Sequence, residues 1–203
     1  MKSKMSLALL SFGAAVALSA APDLSAYQEP DPGRNLLKNG GFETVLAAKQ
    51  WLPEWGKMSA SVIQDKEVKH SGAASLKIGG VPQSYASVYF RLGPLADLKN
   101  DLLIRGFCKY ENVDRSVKGA DCFIGIWTTT AAGKNSRKFA MVKVPDGSGD
   151  WFCFEEVLKV DALKAACAKT DPPAVNAAFR INIYKQPGWV WLDDIEIIPL
   201  EKK

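Results

Sequence analysis

The 203-residue sequence has a single histidine, His70, and none of its four cysteines forms a Cys-x-x-Cys pair. A zinc site needs several His or Cys ligands, and a Ser-His-Asp triad needs a histidine beside its nucleophile. Both sites are poorly supported, because His70 stands alone in an apparent turn. The sequence also lacks a Gly-rich phosphate-binding loop. After residue 20 no segment is apolar for long enough to predict a membrane-spanning helix.

Positive charge is not concentrated along the chain. The formal net charge is +4, and Lys2 and Lys4 near the start supply two of the positive charges. The densest basic run, Lys134 to Lys138, is typical of a solvated loop, whereas nucleic-acid binding requires a concentrated basic face. We therefore expect no nucleic-acid partner. Hydrophobic residues make up 47% of the chain and charged residues 24%, which is typical of a globular protein.

The first twenty residues have the pattern of a secretory signal peptide. Lys2 and Lys4 precede an apolar stretch from Leu7 to Leu18, and small residues follow at Ser19 to Ala21. The apolar stretch is too short and too rich in Ala and Ser for a convincing membrane span. We predict that residues 1–20 are a signal peptide. The mature protein is then secreted, periplasmic or attached to the cell surface.

The remaining chain divides into an arm and one domain. Residues 21–34 are rich in proline and poor in apolar residues, which predicts a disordered linker. Residues 35–200 read as many short strands separated by Gly, Pro, Asn and Asp, which indicates an all-β antiparallel sandwich. The one credible helix is Asp161 to Lys169, with Asp161 as its N-cap. The predicted strands are Ser75 to Ile78, Tyr85 to Leu92, Leu102 to Tyr110, Cys122 to Thr128, Lys138 to Val144, Trp151 to Val160, Ala178 to Tyr184 and Trp189 to Ile198.

Four cysteines in an exported protein favour disulfide bonds. They are Cys108, Cys122, Cys153 and Cys167, and three pairings are possible. Proximity in sequence favours Cys108–Cys122 and Cys153–Cys167. Free buried thiols are the alternative.

The last predicted strand carries two adjacent carboxylates, Asp193 and Asp194, among apolar residues. A buried carboxylate is costly unless a partner neutralises it, and an oxygen-liganded cation is a natural candidate. Strict alternation predicts two faces for this strand. The first face is Val190, Leu192, Asp194, Glu196 and Ile198, and the second is Trp189, Trp191, Asp193, Ile195 and Ile197.

Four segments in order carry a resemblance to a known family. They are Asn35 to Glu43 (Asn-Leu-Leu-Lys-Asn-Gly-Gly-Phe-Glu), Lys69 to Ile78 (Lys-His-Ser-Gly-Ala-Ala-Ser-Leu-Lys-Ile), Gly149 to Trp151 (Gly-Asp-Trp), and Val190 to Ile197 (Val-Trp-Leu-Asp-Asp-Ile-Glu-Ile). Together they resemble carbohydrate-binding modules of the family 4, 9 and 22 type. The resemblance implies a galactose-binding-like jelly roll that binds sugar without catalysis.

The same resemblance implies a structural calcium that joins the first segment, the turn at His70 and the closing strand. By position, Glu43 and Asp193 are expected to supply carboxylates. Backbone carbonyl groups are expected from Gly41, Lys69 and His70. Calcium takes six to eight oxygen ligands, so this set is suitable in kind. The alternative is that Glu43 and Asp193 pair with Lys or Arg, or face water.

Strand alternation predicts a sugar-binding face. Sugars present flat C–H faces ringed by hydroxyl groups, so their sites combine aromatic rings with hydrogen-bonding groups. If three strands are neighbours, one face carries Phe107, Phe123, Trp127, Tyr184, Arg105, Arg180 and Asn182. Trp51 and Trp55, in the loop after the first segment, are further candidates that either stack on a sugar or cap the core. The aromatic residues of the face are alternatively core residues under loops.

The sequence favours a secreted, non-catalytic module that recognises a polysaccharide or oligosaccharide. The alternative is a structural or protein-binding sandwich at the cell surface, since no enzyme domain accompanies the module. A polysaccharide hydrolase or lyase is the weakest reading. Glycosidases need two carboxyl groups flanking one substrate, and the adjacent pairs Glu155–Glu156 and Asp193–Asp194 point to opposite faces of their strands.

Overall fold

Two five-stranded antiparallel sheets face each other in the computed structural model, which describes residues 21–44, 55–57, 61–79 and 85–203. The first sheet has the strand order β1-β4-β9-β6-β7, and the second has the order β2-β3-β10-β5-β8. This confirms the predicted all-β sandwich. The strands are β1 Trp55–Lys57, β2 Val62–Asp65, β3 Ser75–Gly79, β4 Tyr85–Pro94, β5 Leu102–Val113, β6 Asp121–Thr130, β7 Asn135–Val142, β8 Gly147–Leu158, β9 Ala174–Tyr184 and β10 Trp189–Pro199.

The core lies between the sheets and is built by residue alternation. On β9, Phe179, Ile181 and Ile183 are buried, and on β6, Ile124 and Ile126 lie beside them. The second sheet contributes the buried Leu102, Ile104, Cys108, Val190 and Leu192. Burying each large apolar side chain contributes roughly 1.5–3 kcal/mol, so this double layer fixes which face of every strand points outward. The outward side chains of both sheets are therefore not needed for the core between the sheets.

A bulge in β10 makes the strict alternation predicted for this strand wrong. The pairing with β5 shifts between Asp193 and Glu196, and Asp194 has a left-handed φ of 49°. Ile195 and Ile197 therefore join Val190 and Leu192 in the core, although strict alternation put them on opposite faces. An extra residue in a strand changes the face of every side chain that follows it.

The arm at residues 21–34, predicted to be a disordered linker, packs on the outside of the second sheet. Tyr27 is 3% exposed, pairs with Lys202 in an antiparallel bridge and donates a hydrogen bond to Asp101 at 2.5 Å. It forms a small apolar cluster with Leu103 and Ile198. The prediction missed this because one buried tyrosine is a weak signal in a proline-rich stretch.

Helix α1 spans Val160–Ala168, within a residue of the prediction, but its predicted N-cap is wrong. Asp161 lies in the first turn, and the N-cap position is Lys159, which makes no side-chain capping bond. The Val160 N–H is instead accepted by Asp101 at 2.9 Å, a carboxylate 59 residues away. No helix in the described part of the chain is long and apolar enough to cross a membrane.

All four cysteines are free thiols, so the predicted disulfide pairings are wrong. Cys108 is buried on β5, whereas Cys122 is on β6 of the opposite sheet. Cys153 is exposed on β8, and Cys167 is buried on α1. Closeness in sequence failed as a guide because β5 and β6 belong to different sheets, and because Cys153 is exposed on β8 whereas Cys167 is buried on α1. Burial raises the pKa of Cys122 to about 12 and also raises that of Cys108, so both thiols stay protonated.

Candidate functional site

The outer face of the first sheet carries three parallel columns of side chains from β4, β9 and β6. Tyr85, Ser87, Tyr89 and Arg91 point outward from β4, and they pair in register with Tyr184, Asn182, Arg180 and Ala178 of β9. Those residues in turn face Asp121, Phe123, Gly125 and Trp127 of β6. Four rows of side chains therefore cross the sheet. The rows bring aromatic rings and hydrogen-bonding groups onto one surface, as the sequence predicted for β6 and β9.

Arg180 occupies the middle of this face. Its guanidinium lies over the Trp127 ring, with the Arg180 Cζ 4.0 Å from the ring centroid. Its Nε donates to Ser87 Oγ at 2.9 Å, and its Nη2 donates to the Tyr85 hydroxyl. Arg180 is only 6% exposed. Because a planar guanidinium stacks well on an indole, the arginine holds the Trp127 ring in a fixed orientation.

Two polar atoms beside Arg180 are buried and have no hydrogen-bond partner among the described residues. They are the Trp127 Nε1 donor and the Asn182 Oδ1 acceptor. Asn182 is 4% exposed. A buried polar atom without a partner costs about 1–3 kcal/mol, so such atoms are rare in folded proteins. One donor and one acceptor without partners among the described residues therefore lie on the same face of the first sheet.

Aromatic rings extend from Trp127 toward the far end of the face. Phe123 meets Trp127 edge to face, with ring centroids 5.7 Å apart. The Lys138 Nζ lies 5.5 Å from the Phe123 centroid and 2.5 Å from Asp121 Oδ2. Tyr184 is 38% exposed. These contacts join the rings of β6 to each other and to Lys138 on the outer face of the sheet.

A trough opens where the row Arg91–Ala178–Trp127 crosses the sheet. Ala178 stands between two large residues, and neighbouring strands are about 4.8 Å apart, so the walls are roughly 10 Å apart. The cavity has a volume of about 470 Å³. Its lining also includes Tyr89, Asn135 and Asn176. The small side chain of Ala178 therefore leaves space about as wide as a sugar ring between Arg91 and Trp127.

Five of the residues predicted for the sugar-binding face lie on this surface: Trp127, Phe123, Tyr184, Arg180 and Asn182. Phe107 and Arg105 do not join them, because β5 pairs with β10 and β8 in the second sheet. Both side chains point outward, as predicted, but they do so from the second sheet, on the other side of the molecule from Trp127. Phe107 stacks on His70 there, with centroids 3.5 Å apart, and Arg105 Nε donates to Glu196 at 2.6 Å.

Trp55 lies in the core, so it has no ring face available to stack on a sugar. It is 4% exposed and packs against Phe42, with centroids 5.3 Å apart, and against Phe90 and Phe179. Its Nε1 donates to the Lys38 carbonyl at 3.1 Å. Trp51 lies outside the described residues.

The sequence analysis did not predict that side chains of β4 belong to this outer face. Tyr85, Ser87, Tyr89 and Arg91 follow one another at every second position of a strand that was predicted, so the alternation was available as a signal. It was not used because nothing in the sequence shows that β4 is adjacent to β9. The position of the Tyr89 ring also requires a glycine at residue 56 of β1, because a Cβ added to Gly56 would lie 2.2 Å from that ring.

A second cluster surrounds the turn at residues 70–73, on the side of the second sheet. Asp193 is fully buried, and its Oδ2 accepts the N–H groups of His70 at 2.9 Å and Ser71 at 3.2 Å. Its Oδ1 accepts the Asp194 N–H at 2.9 Å. Burial raises the pKa of the Asp193 carboxyl, and the N–H donors act against that rise. The buried acid thus has three backbone partners.

Glu43 meets the same turn from the other side. Its Oε2 accepts the Ala73 N–H at 2.5 Å. A Cβ added at Gly72, where φ is +55°, would lie 2.0 Å from Glu43 Oε1, so only glycine allows this approach. Asp194 adds contacts to Ser71 Oγ at 2.9 Å and His70 Nδ1 at 2.8 Å. The first segment and the closing strand are therefore joined through one turn.

The residues expected to bind calcium fit that ion in part. Glu43 and Asp193 are oxygen donors brought to one turn, and calcium prefers oxygen ligands. However, the backbone of His70 offers Asp193 its N–H, and Lys69 Nζ donates to the Lys66 carbonyl. Among the described residues, no group of three or more His, Cys, Asp or Glu side chains is arranged to hold a metal. Any ion here would need carbonyl oxygens such as that of Gly41.

No protein-family model matches the chain, and no curated protein matches it. Solved structures do. The C-terminal family 22 carbohydrate-binding module of Clostridium thermocellum Xyn10B is 11% identical, covers 86% of this chain and 97% of its own, and has a TM-score of 0.53. The CBM22-2 xylan-binding domain of Paenibacillus barcinonensis Xyn10C is 12% identical, with 73% and 92% covered and a TM-score of 0.50.

The enzymatically active domain of tailspike protein 4 from bacteriophage CBA120 also contains this fold. It is 14% identical, with 84% of this chain and 22% of that chain covered, and its TM-score is 0.51. At these identities the likeness concerns the fold. The chain thus has the galactose-binding-like jelly roll of carbohydrate-binding modules, as the four sequence segments predicted.

Proposed function

We propose that the protein is an exported, non-catalytic module that binds a polysaccharide along the outer face of the first sheet. The observation that carries this proposal is the trough lined by Trp127, whose Nε1 has no hydrogen-bond partner among the described residues. Asn182 Oδ1 also has no partner there, and Asn182 lies two rows from the trough on the same face. A fold alone does not define a function, so the argument depends on these side chains.

The chemistry of the face suits a sugar. The C–H face of a pyranose packs against an aromatic ring, and its hydroxyl groups need hydrogen-bond partners around that ring. Trp127 forms one wall of the trough, and Asn135 and Asn176 supply amide groups in its lining. Because Arg180 already fixes the Trp127 ring, little side-chain freedom is lost when a ligand binds.

The solved structures support the proposal at the level of the fold. One of them is described as a xylan-binding domain, and the description of another refers to ligand binding in a cleft. Carbohydrate-binding modules of this fold therefore offer a precedent for a polysaccharide ligand.

Catalysis is not supported by the trough. Glycoside hydrolysis needs two carboxyl groups flanking the scissile bond. Neither Asp nor Glu lines the trough within the described part of the chain. Among the residues of the four rows the one acid is Asp121, and Lys138 pairs with it at 2.5 Å.

We also propose that calcium binds between the first segment and the closing strand. The support is that Glu43 and Asp193 converge on the turn at residues 70–73, as a shared ion would require. Glu43, Asp193 and carbonyl oxygens, including that of Gly41, would hold it. A bound calcium ion would supply positive charge to the buried Asp193 carboxylate and stabilise the junction.

Export follows from the predicted signal peptide at residues 1–20, which lies outside the described residues. We propose that the mature chain acts in the periplasm, at the cell surface or in the medium. The mass of the protein recovered from those fractions would test this, and an intact N-terminus in the cytoplasm would contradict it.

The test of sugar binding is affinity electrophoresis of the protein against soluble glucans, xylans and mannans. We expect retardation by at least one polymer. Trp127→Ala should weaken it about tenfold or more, because a central aromatic contact carries much of the binding energy. Phe107→Ala is the matched control on the second sheet and should leave retardation unchanged. Thermal unfolding of both variants would show that they are folded.

Two results would contradict the proposal. An absence of retardation with every polymer, with and without calcium, would favour the structural or protein-binding role instead. Equal losses in Trp127→Ala and Phe107→Ala would show that the binding surface does not lie on the first sheet. Release of reducing ends from any polymer would establish catalysis.

A further inference from the structure

The trough beside Trp127 is positively charged. Arg91 and Arg180 both line it, and no acidic side chain among the described residues does. The remaining polar residues of the lining are neutral, including Thr129, Asn135 and Asn176. A site for neutral sugar has no electrostatic need for two guanidinium groups.

Arg91 is the residue whose charge is available to a ligand. It is exposed, and it forms no ion pair with any residue that the structure describes. Its Nη2 donates to the Tyr89 hydroxyl at 3.2 Å, and its Cζ lies 5.3 Å from the Tyr89 ring centroid. Tyr89 is itself held against Gly56, where there is no room for a Cβ. The guanidinium is therefore positioned before any ligand arrives.

The position of Arg91 relative to Trp127 determines which part of a bound sugar would meet the guanidinium. The two residues stand in one row across the sheet with Ala178 between them. A sugar ring that stacks on Trp127 extends toward Arg91. A carboxylate on that ring would meet a guanidinium, which binds carboxylates through two parallel hydrogen bonds.

Asp121, the one acid in the four rows of this face, does not cancel the charge of the trough. Asp121 stands at the opposite end of the face, in the row of Tyr85 and Tyr184. Its carboxylate is 2.5 Å from Lys138 Nζ. Lys138, which faces Trp127 from β7, and Asp121 therefore neutralise each other, and the positive charge of the trough comes from Arg91 and Arg180 in its lining.

We propose that the ligand of the trough is a carboxylated polysaccharide, one that carries uronic acid residues, and that Arg91 is the specificity-determining contact for the carboxylate. This inference rests on the proposed function of the same face. It adds the chemical class of the sugar and the residue that selects it.

The test uses glucuronoxylan and the same polymer after chemical reduction of its carboxyl groups to alcohols. Binding of the full chain is measured by calorimetry at 150 mM salt. We expect the carboxylated polymer to bind about tenfold or more tightly than the reduced one, since hydrogen bonds to charged groups are the stronger ones. Arg91→Gln should bring both polymers to the same affinity. Arg137→Gln, on β7, removes an equal charge away from the trough lining and should keep the preference.

Each outcome has a distinct meaning. Equal binding of both polymers by the unaltered protein overturns this inference and leaves the proposed function intact. A preference that survives in Arg91→Gln, or that Arg137→Gln reduces equally, reflects net charge and also overturns it. Binding to neither polymer, nor to any neutral glucan, xylan or mannan, overturns the proposed function as well.

Discussion

Asn182 illustrates how single residues on the first sheet differ from ordinary surface residues. It is 4% exposed, and its Oδ1 has no hydrogen-bond partner in the part of the chain that the structure describes. The unsatisfied oxygen costs stability in the free protein, so selection for stability alone does not explain it. Under the proposed function, this oxygen is an acceptor for a ligand hydroxyl.

Asn182→Ala should therefore separate binding from stability. We expect the free energy of unfolding to change by less than about 1 kcal/mol, because the lost oxygen had no partner to lose. Polysaccharide affinity should fall about tenfold, as expected for a lost hydrogen bond in a binding site. Urea unfolding and affinity electrophoresis measure the two effects. A large loss of stability with unchanged affinity would assign Asn182 a structural role.

At the residue scale, the sequence predicted which way a side chain points better than it predicted which residues that side chain contacts. The outward direction of Phe123, Trp127, Arg180, Asn182 and Tyr184 follows from the two-residue period of a strand, which sequence shows directly. The stack of Arg180 on Trp127 joins residues 53 positions apart, and no local pattern reveals it. The burial of Trp55 likewise depends on Phe42, Phe90 and Phe179, which come from three other parts of the chain.

At the scale of elements, one carboxylate joins three of them. Asp101 precedes β5, accepts the first N–H of helix α1 through Oδ1, and accepts the Tyr27 hydroxyl of the arm through Oδ2. Lys159 Nζ lies 3.5 Å from it. Burial tends to raise the pKa of Asp101, but the Tyr27 and Val160 hydrogen bonds and the charge of Lys159 outweigh it and lower the pKa.

Asp101→Asn should destabilise the protein by about 1–3 kcal/mol at pH 7, because the amide keeps only one of the two acceptor oxygens and loses the ion pair with Lys159. The pKa of Asp101 is lower in the folded chain than its usual 3.8, so its contribution is complete above pH 3.8. That contribution is lost as the pH falls through the folded-state pKa. The difference between the two proteins should therefore stay constant from pH 7 down to pH 3.8 and shrink at lower pH in urea unfolding.

The control for that variant is Asp161→Asn in the first turn of α1. Asp161 makes no capping bond, so we expect a change within about 0.5 kcal/mol. If Asp161→Asn destabilised the protein more than Asp101→Asn did, Asp161 would be the N-cap of α1, as the sequence predicted. A difference that widens at acid pH would contradict the lowered pKa of Asp101.

The elements themselves were largely predictable. Eight strands and the helix were predicted near their observed positions, because apolar alternation and turn residues are local properties. The missed strands β1 and β2 have three and four residues, too few for a period to show. The bulge at Asp194 was missed for another reason. It is set by the pairing with β5, which no single strand encodes.

At the scale of the molecule, calcium should act as a link between distant parts of the chain. If calcium binds beside Glu43 and Asp193, it stabilises the fold by about 2.7 kcal/mol at a hundred times its Kd. For a domain of this size that corresponds to a rise in Tm of roughly 5–10 °C. Thermal unfolding in calcium and in EDTA measures the rise.

The calcium prediction has internal controls. Glu43→Gln and Asp193→Asn should abolish the calcium-dependent rise in Tm, and Glu67→Gln, an exposed acid near the same turn, should not. An identical Tm in calcium and EDTA would mean that the backbone N–H groups of His70, Ser71 and Asp194 alone hold the Asp193 carboxylate.

The sequence alone determined the class of fold, the approximate position of most strands and the outward side of β5, β6 and β9, since these follow from periodicity and from local turn chemistry. Only the tertiary structure decided which strands are neighbours. It separated Phe107 and Arg105 from Trp127, added Tyr89 and Arg91 to the trough, and placed the thiols of Cys108 and Cys122 in opposite sheets. The physical reason is that strand order is set by burying all apolar faces at once, a condition on the whole chain that no single segment carries.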